Sequence, residues 1–497
     1  MMVTGCWAAA SYAVDGVSGA AYVRCLAGWR CSSAVEQGNH NPLVGGSNPS
    51  TATISGRFSI HGVQPCRSAR PDGDQSVPLL TTIHAATWAI AAIATFGVLL
   101  RPFGLPEAVW AVSGAVILVA AGFLPWTDAL AAIGKGGDVY LFLTGMMLLA
   151  EMARETGLFA HVAALAARRA AGDPRRLFTL IYGVGVVVTV FLSNDATAVV
   201  LTPAVFAATK AARAETLPYL LICAFIANAA SFVLPISNPA NLVVFNGGAM
   251  PPLLQWLAQF GLPSVLAIVA TYAVLWFTQR AALAGEIARD VIVPPLSPSG
   301  RTVAFGIGGT AVLLLAASGF GLDLGWPTCL AAVLTALAVA IAGRAVPWTI
   351  LNGVSWAVLP LVAGLFVLVE GIGRTGVLSA LRDGLQTASA HSVMQAAWGV
   401  GAVVAVVCNL VNNLPAGLLI GSAIGGAHLP QPVSAAALIG VDLGPNLSVT
   451  GSLATILWLV ALRREGHRVG FFQFLKLGAL VMPPALLLAL GALLLTR

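Results

Sequence analysis

Four short polar breaks interrupt the apolar stretches of this 497-residue chain: Ser193-Asn194-Asp195, Ser237-Asn238-Pro239 with Asn241, Asn412-Asn413, and Thr450-Gly451-Ser452. Each supplies side-chain oxygens or amides, and each frees backbone groups where a helix stops. Such groups coordinate a small ion or a hydroxyl-bearing solute, and facing helix ends add partial charges. A single break would read as a local helix stop or cap. Four at corresponding places of a repeat read as a binding site. The expected ligands are Ser193, Asn194, Asp195, Ser237, Asn238, Asn241, Asn412, Asn413, Thr450 and Ser452.

Asp195 and Asp442 are acids inside apolar stretches. A carboxylate within a membrane is costly and marks a functional position by default. Desolvation favours the neutral carboxyl, which suits reversible proton uptake. Both are expected to couple transport to protons, Asp195 foremost because it lies at a hairpin tip. Asp442 has a second reading, as a group that stabilises a helix break. Glu151 and Glu370 lie near span ends beside Arg154 and Arg374, so ion pairing is expected of them. The seven cysteines show neither CxxC nor zinc spacing, and no metal or cofactor is expected. Cys223, Cys329 and Cys408 read as buried small hydrophobes. No GxxxxGK[ST] loop is present, so the chain does not hydrolyse ATP itself.

The elements that must position these residues are membrane helices. The chain is 58% hydrophobic and 9% charged, against about 25% charge in soluble domains. Lipid must therefore cover most of it. The net charge of +6 is not a nucleic-acid signal, because Lys and Arg cluster in short loops as the positive-inside rule expects. Residues 1–76 differ in kind and read as a disordered or spurious extension. Trp29 to Ala52 resembles a tRNA gene translated in frame, which points to a start at Val63 or Val77. The rest divides into a first transmembrane repeat (77–278), a cytoplasmic linker (279–301) and a second repeat (302–497). Glu151 precedes Asn194 by 43 positions, and Glu370 precedes Asn413 by the same 43. Gly145 and Gly364 stand six residues before those glutamates.

The run 177–208 has basic flanks at both ends (Arg175, Arg176; Lys210, Arg213), so both ends belong on one side. It reads as a re-entrant hairpin, tolerated only where protein or a watery cavity surrounds it. Residues 393–424 are its counterpart, entering from outside. Five crossings remain in each half, an odd number, so the halves are inverted. The fold class is an all-α polytopic membrane protein of two inverted repeats, each with about five transmembrane helices, a re-entrant hairpin and a discontinuous helix. Residues 156–172 fit an amphipathic helix at the cytoplasmic interface. Outside, this layout leaves only Lys135, Arg374, Arg382 and Arg497 of the Lys and Arg beyond residue 76.

SNDATAVVLTP (193–203), PISNPANLVVF (235–245), VNNLPAG (411–417) and DLGPNLSVTGSLATILWL (442–459) resemble the arsenite-efflux membrane proteins, also called arsenical pump membrane proteins, of the ion transporter superfamily. The resemblance spans about 81–497. It implies export of arsenite and antimonite across the cytoplasmic membrane, by proton antiport or with a soluble arsenite-stimulated ATPase as partner. It also implies a scaffold-and-transport architecture, a homodimer in the lipid bilayer, and a metalloid oxyacid and protons as cargo. The first tip reads Ser-Asn-Asp, where dicarboxylate carriers of the superfamily typically have Ser-Asn-Thr. An Asp repels a dianion and carries a proton, which favours neutral As(OH)3. The alternatives are a sodium/proton antiporter, a dicarboxylate or citrate carrier of the same superfamily, or the membrane subunit of an ATP-driven arsenite pump.

Overall fold

The structure, a computed structural model, describes residues 76–245, 250–343, 347–427 and 429–496. The readings for residues 1–75, including the in-frame tRNA resemblance, lie outside the described residues. The first half runs through α1 (Ser76–Leu100), α2 (Glu107–Ala120), α3 (Trp126–Lys135), α4 (Gly137–Glu155), α5 (Leu158–Ala170), α6 (Pro174–Phe191), α7 (Thr202–Ala211), α8 (Thr216–Ala229), α9 (Pro239–Phe245) and α10 (Leu253–Gln279). The second half repeats the same ten in order: α11 (Pro298–Gly319), α12 (Gly325–Gly343), α13 (Pro347–Gly353), α14 (Val358–Gly373), α15 (Val377–His391), α16 (Val393–Val411), α17 (Asn413–Gly425), α18 (Gln431–Leu443), α19 (Leu453–Arg464) and α20 (Phe471–Leu495). Among the described residues every regular element is a helix.

Local chemistry explains the boundaries. Asp173 and Ser297 cap α6 and α11, accepting from the N–H groups of Arg175 and Gly300, with proline at the first helical turn. Gly157 (φ 75°) and Gly376 (φ 88°) hold the left-handed turns that lead α4 into α5 and α14 into α15. The latter pair bends by 76°. The amphipathic helix expected at 156–172 is α5, and α15 is its counterpart. The linker between the halves is non-helical over 280–297, shorter at both ends than the expected 279–301. Two short helices, α3 and α13, were not expected. Each starts at a Pro-Trp-Thr run, Pro125-Trp126-Thr127 and Pro347-Trp348-Thr349, whose exposed tryptophans suit an interface.

Two bonds decide the path of α6 and α7. Ile287 N–H donates to Gly172 O (3.0 Å), and the next residue, Ala288, donates to Ala212 O (2.8 Å). Gly172 precedes α6 and Ala212 follows α7, so this hairpin enters and leaves on one face. Arg168, Arg169, Arg175, Arg176, Lys210 and Arg213 make it the basic face. By length and composition alone α6 and α16 would count among the spanning helices; the two linker bonds make α6 a hairpin arm, and α16 is its equivalent in the second half.

The same face receives the end of α10, which continues into the linker. It also receives the start of α20, because Thr216 Oγ1 and His467 Nε2 are 2.8 Å apart. The start of α10 lies on the opposite face, about 40 Å away along a 27-residue helix. There Gln259 meets Gln431 at the start of α18. So α10 runs toward the basic face and α20 runs away from it. These are equivalent helices packed side by side, and the halves are therefore inverted.

Equivalent pairs also cross between halves. The α4 helix packs on α12, and α14 packs on α2. Gly145 and Gly364 make these approaches: a Cβ at Gly145 would stand 2.7 Å from Thr328 backbone, and one at Gly364 2.8 Å from Ala111 backbone. Of the two symmetric glutamates, Glu151 accepts from Arg154 Nε and Nη2, at 2.9 and 2.5 Å. Glu370 does not pair with Arg374. It accepts from Lys135 at 2.8 Å, while Arg374 reaches Asp128. The expected partner is corrected because α14 lies against α3, which sequence proximity does not reveal. Cys223 and Cys408 are buried, but Cys329 is only half-buried.

Two measurements check this architecture. Single cysteines replacing Arg169 and Arg213 are expected to label with a membrane-impermeant maleimide from one side, and one replacing Gly426 from the other. Gly145→Leu and Gly364→Leu are each expected to lower stability by about 1–3 kcal/mol through overpacking, read as a fall in Tm of the solubilised protein.

Candidate functional site

Both hairpin tips carry a non-glycine residue at positive φ in equivalent positions: Ser193 (φ 132°) and Asn412 (φ 77°). Such backbone persists only where surroundings hold it, and it clusters at functional sites. Ser193 Oγ accepts from Ala196 N–H (3.4 Å), and Ser193 O accepts from Thr197 (3.4 Å). The chain then enters a π-helical turn, Ala196–Leu201, before α7. Such turns are rare and frequent at functional sites. Asn412 Oδ1 caps α17 by accepting from Leu414 N–H (3.3 Å), its Nδ2 donates to Thr450 O (3.3 Å), and Asn413 N–H donates to Gly451 O (2.9 Å). The second tip is thus pinned to the second break.

The breaks in α8–α9 and α18–α19 are held by amides. Asn238 Oδ1 caps α9 by accepting from Ala240 N–H (3.0 Å), and its Nδ2 donates to Asp442 Oδ1 (2.5 Å) across the two halves. Asn241 Nδ2 donates to the carbonyls of Ser231, Leu234 and Pro235. Ser237 Oγ donates to Val190 O (3.0 Å), tying this break to the first hairpin. Ser452 Oγ caps α19 by accepting from Ala454 N–H (3.1 Å), and Thr450 Oγ1 donates to Asn409 O (2.8 Å).

Asn194 and Asp195 from one tip, Asn413 from the other, and Asn238 and Ser452 from the breaks surround a single cavity. Its volume is about 10 Å³, room for roughly one water, so tips and breaks are closed on one another. Leu143 of α4 and Val358 of α14 join the wall from equivalent helices, and Pro239, Leu414 and Leu453 complete it. Asn194 Oδ1 is buried with no hydrogen-bond partner among the described residues. The Asp195 carboxyl likewise has no hydrogen bond or ion pair there. Among the described residues, no Lys, Arg or His lines the cavity.

The other expected ligands lie outside the lining. Ser193, Ser237, Asn412, Thr450 and the Nδ2 group of Asn241 bond backbone groups of the tips and breaks and so shape the site, while Asn241 Oδ1 is buried without a partner among the described residues. Asp442 sits fully buried behind Asn238, with Oδ2 unpartnered and the Ser231 hydroxyl nearby. Three further residues were not anticipated. Asn409 Nδ2 donates to the carbonyls of Ala405 and Gly444, and its Oδ1 accepts from Ser448 N–H and Oγ. Asn228 Nδ2 donates to Asn446 Oδ1 (3.1 Å), again across the halves. A signal for Asn228 existed: it stands ten residues before Asn238, as Asp442 stands ten before Ser452.

The second tip gives a direct test. Asn412→Val places a β-branched residue at positive φ and removes a cap, with an expected loss of about 2–3 kcal/mol. Asn412→Gly keeps the backbone and is expected to cost under about 1 kcal/mol. Thermal unfolding of the two purified variants checks the order.

The chain is similar to known transporters. Residues 86–441 match the family profile described as CitMHS, citrate transporter. The chain is 27% identical to an arsenical pump membrane protein of Escherichia coli over 410 residues, covering 80% of this chain and 95% of that one. It is 29% identical to an arsenical pump membrane protein of Yersinia enterocolitica over 361 residues, 70% and 84% of the two chains. An uncharacterized transporter of Mycobacterium tuberculosis is 26% identical over 369 residues, 72% and 85% of the two chains. Among solved structures, the YdaH transporter of Alcanivorax borkumensis aligns with a TM-score of 0.49 at 15% identity, covering 84% of this chain and 97% of that one.

Proposed function

This chain belongs to the citrate transporter family, secondary transporters of the ion transporter superfamily, and from that premise we propose that it exports arsenite and antimonite across the cytoplasmic membrane by proton antiport. The observation that carries the proposal is the polar part of the cavity wall: neutral amides and a hydroxyl, with one carboxyl, Asp195, that no described residue pairs. A neutral trihydroxide such as As(OH)3 offers O–H donors to the unpartnered Asn194 Oδ1 and acceptor oxygens to the Asn413 amide and the Ser452 hydroxyl. Asp195 binds a proton when solute leaves and releases it when solute loads. The relatives named arsenical pump membrane proteins support this cargo.

The two hairpins supply the cycle. One opens toward the basic face and the other toward the opposite face, so rocking the closed site toward either exposes it to one side at a time. Asp442 takes a second proton role through Asn238: its charge state governs the bond that holds a cavity-lining cap. The protein works as a homodimer in this proposal, as the superfamily resemblance implies. A second reading, carriage of an organic anion, is favoured by the family's description as citrate transporters. The wall opposes it, because a polyanion would meet Asp195 and no cation.

Everted vesicles with an acidic lumen and no ATP are the test. Wild-type protein is expected to accumulate arsenite, and dissipating the pH gradient is expected to stop it. Asp195→Asn is expected to lose at least ~100-fold of gradient-driven uptake, in line with the 10²–10⁴-fold worth of a positioned proton-transfer group. No wild-type accumulation without a soluble ATPase would turn the assignment to a pump subunit. Accumulation of citrate in place of arsenite would turn it to the anion carrier.

A further inference from the structure

A second cavity, of about 300 Å³, lies at the basic face between α8, α10 and α20. It shares no residue with the central one. Its mouth is polar: Thr278 and Gln279 end α10, and Gln473 and Lys476 stand on the first turns of α20. Its floor is apolar, built from Leu221, Phe474, Leu477 and Leu480. Helix direction produces this gradient. The α20 helix starts at the basic face, so Leu480 lies about 6 Å deeper than Lys476.

Lys476 makes no hydrogen bond or ion pair among the described residues. Arg280 and Arg468 add positive charge at this end, and the acids there, Glu215 and Glu465, do not pair with Lys476. Around the mouth, Phe277 (62% exposed) and Phe472 (75%) face outward, and deeper along α20 the floor residue Leu480 is itself 56% exposed. The opening is therefore lateral, toward the layer where a bilayer would lie. An unpaired lysine near the end of a spanning helix extends its ammonium to the headgroup level. Cationic pockets between helices on the basic side attract acidic headgroups.

We propose that this cavity is a binding site for an anionic phospholipid, with Lys476, Gln473 and Gln279 on the phosphate and an acyl chain along Leu221, Leu477 and Leu480. Free phosphate would satisfy the mouth and leave the apolar floor bare. A zwitterionic lipid would place its own cation beside Lys476. This site is independent of the cargo and of the central cavity.

The full-length protein in detergent, followed by native mass spectrometry and thermal unfolding, tests the assignment. Phosphatidylglycerol is expected to form a defined adduct and raise Tm, whereas phosphatidylcholine of the same chains and inorganic phosphate do neither. Lys476→Gln is expected to weaken phosphatidylglycerol binding about fivefold, the worth of one lysine near an anionic surface, and Lys476→Arg to retain it. Leu480→Trp, which fills the floor and leaves every charge in place, is expected to weaken it as well. Equal binding of the two lipids, a phosphate-induced shift equal to the lipid's, or unchanged binding by both Lys476→Gln and Leu480→Trp would each overturn the proposal.

Discussion

Every break in a helix within an apolar body releases N–H and C=O groups that cannot reach bulk water, and these must find partners inside the protein. That requirement organises this molecule. Asn241 collects three carbonyls of the first break, and Asn409 joins two carbonyls to the Ser448 N–H and hydroxyl at the second. Asn412 serves its own helix and the neighbouring break at once. The amides that make the breaks affordable also fix where the remaining groups point, so site and fold are one network.

The network joins the halves. Asn238 donates to Asp442, and Asn228 donates to Asn446, each bond passing from the first half to the second. The backbone approaches at Gly145 and Gly364 repeat that exchange at the level of helix packing. Neither half closes the cavity alone, since its wall draws on tips, breaks and packed helices of both. Symmetry fails in one place that matters chemically: the first tip carries Asp195 and a π-helical turn, and the second has Leu414 at the equivalent position and leads straight into α17. Inversion makes access to the two faces equivalent, and that local difference puts the single carboxyl on one hairpin only.

The basic face gathers what surrounds the site. The linker bonds both ends of the first hairpin there, α10 ends and α20 begins there, and the lateral cavity with Lys476 opens there. Hairpin, linker and membrane edge thus meet in one layer. A charged headgroup seated between α10 and α20 would touch the start of α8, the helix whose far end forms the break at Asn238.

The apolar composition, the 43-residue spacing and the basic flanks of residues 177–208 were sufficient by themselves to determine a membrane protein of two inverted halves with re-entrant hairpins. They suffice because lipid tolerates few backbone solutions and because loop charge orients them. The four breaks were legible for the same reason, as polar residues that an apolar span does not otherwise contain. Which side chain of each break faces the cavity was decided only by tertiary structure. An asparagine amide serves a freed carbonyl or a ligand equally well, and the choice depends on which carbonyls the folded chain leaves unpaired. Ser237, Thr450 and the Asn241 Nδ2 group therefore turned to backbone, while among the described residues Asn194 Oδ1 and the Asp195 carboxyl were left without partners at the cavity. Lys135 reaching Glu370 and Asp442 standing behind Asn238 depend likewise on helices that meet across hundreds of residues, a proximity that no local pattern encodes.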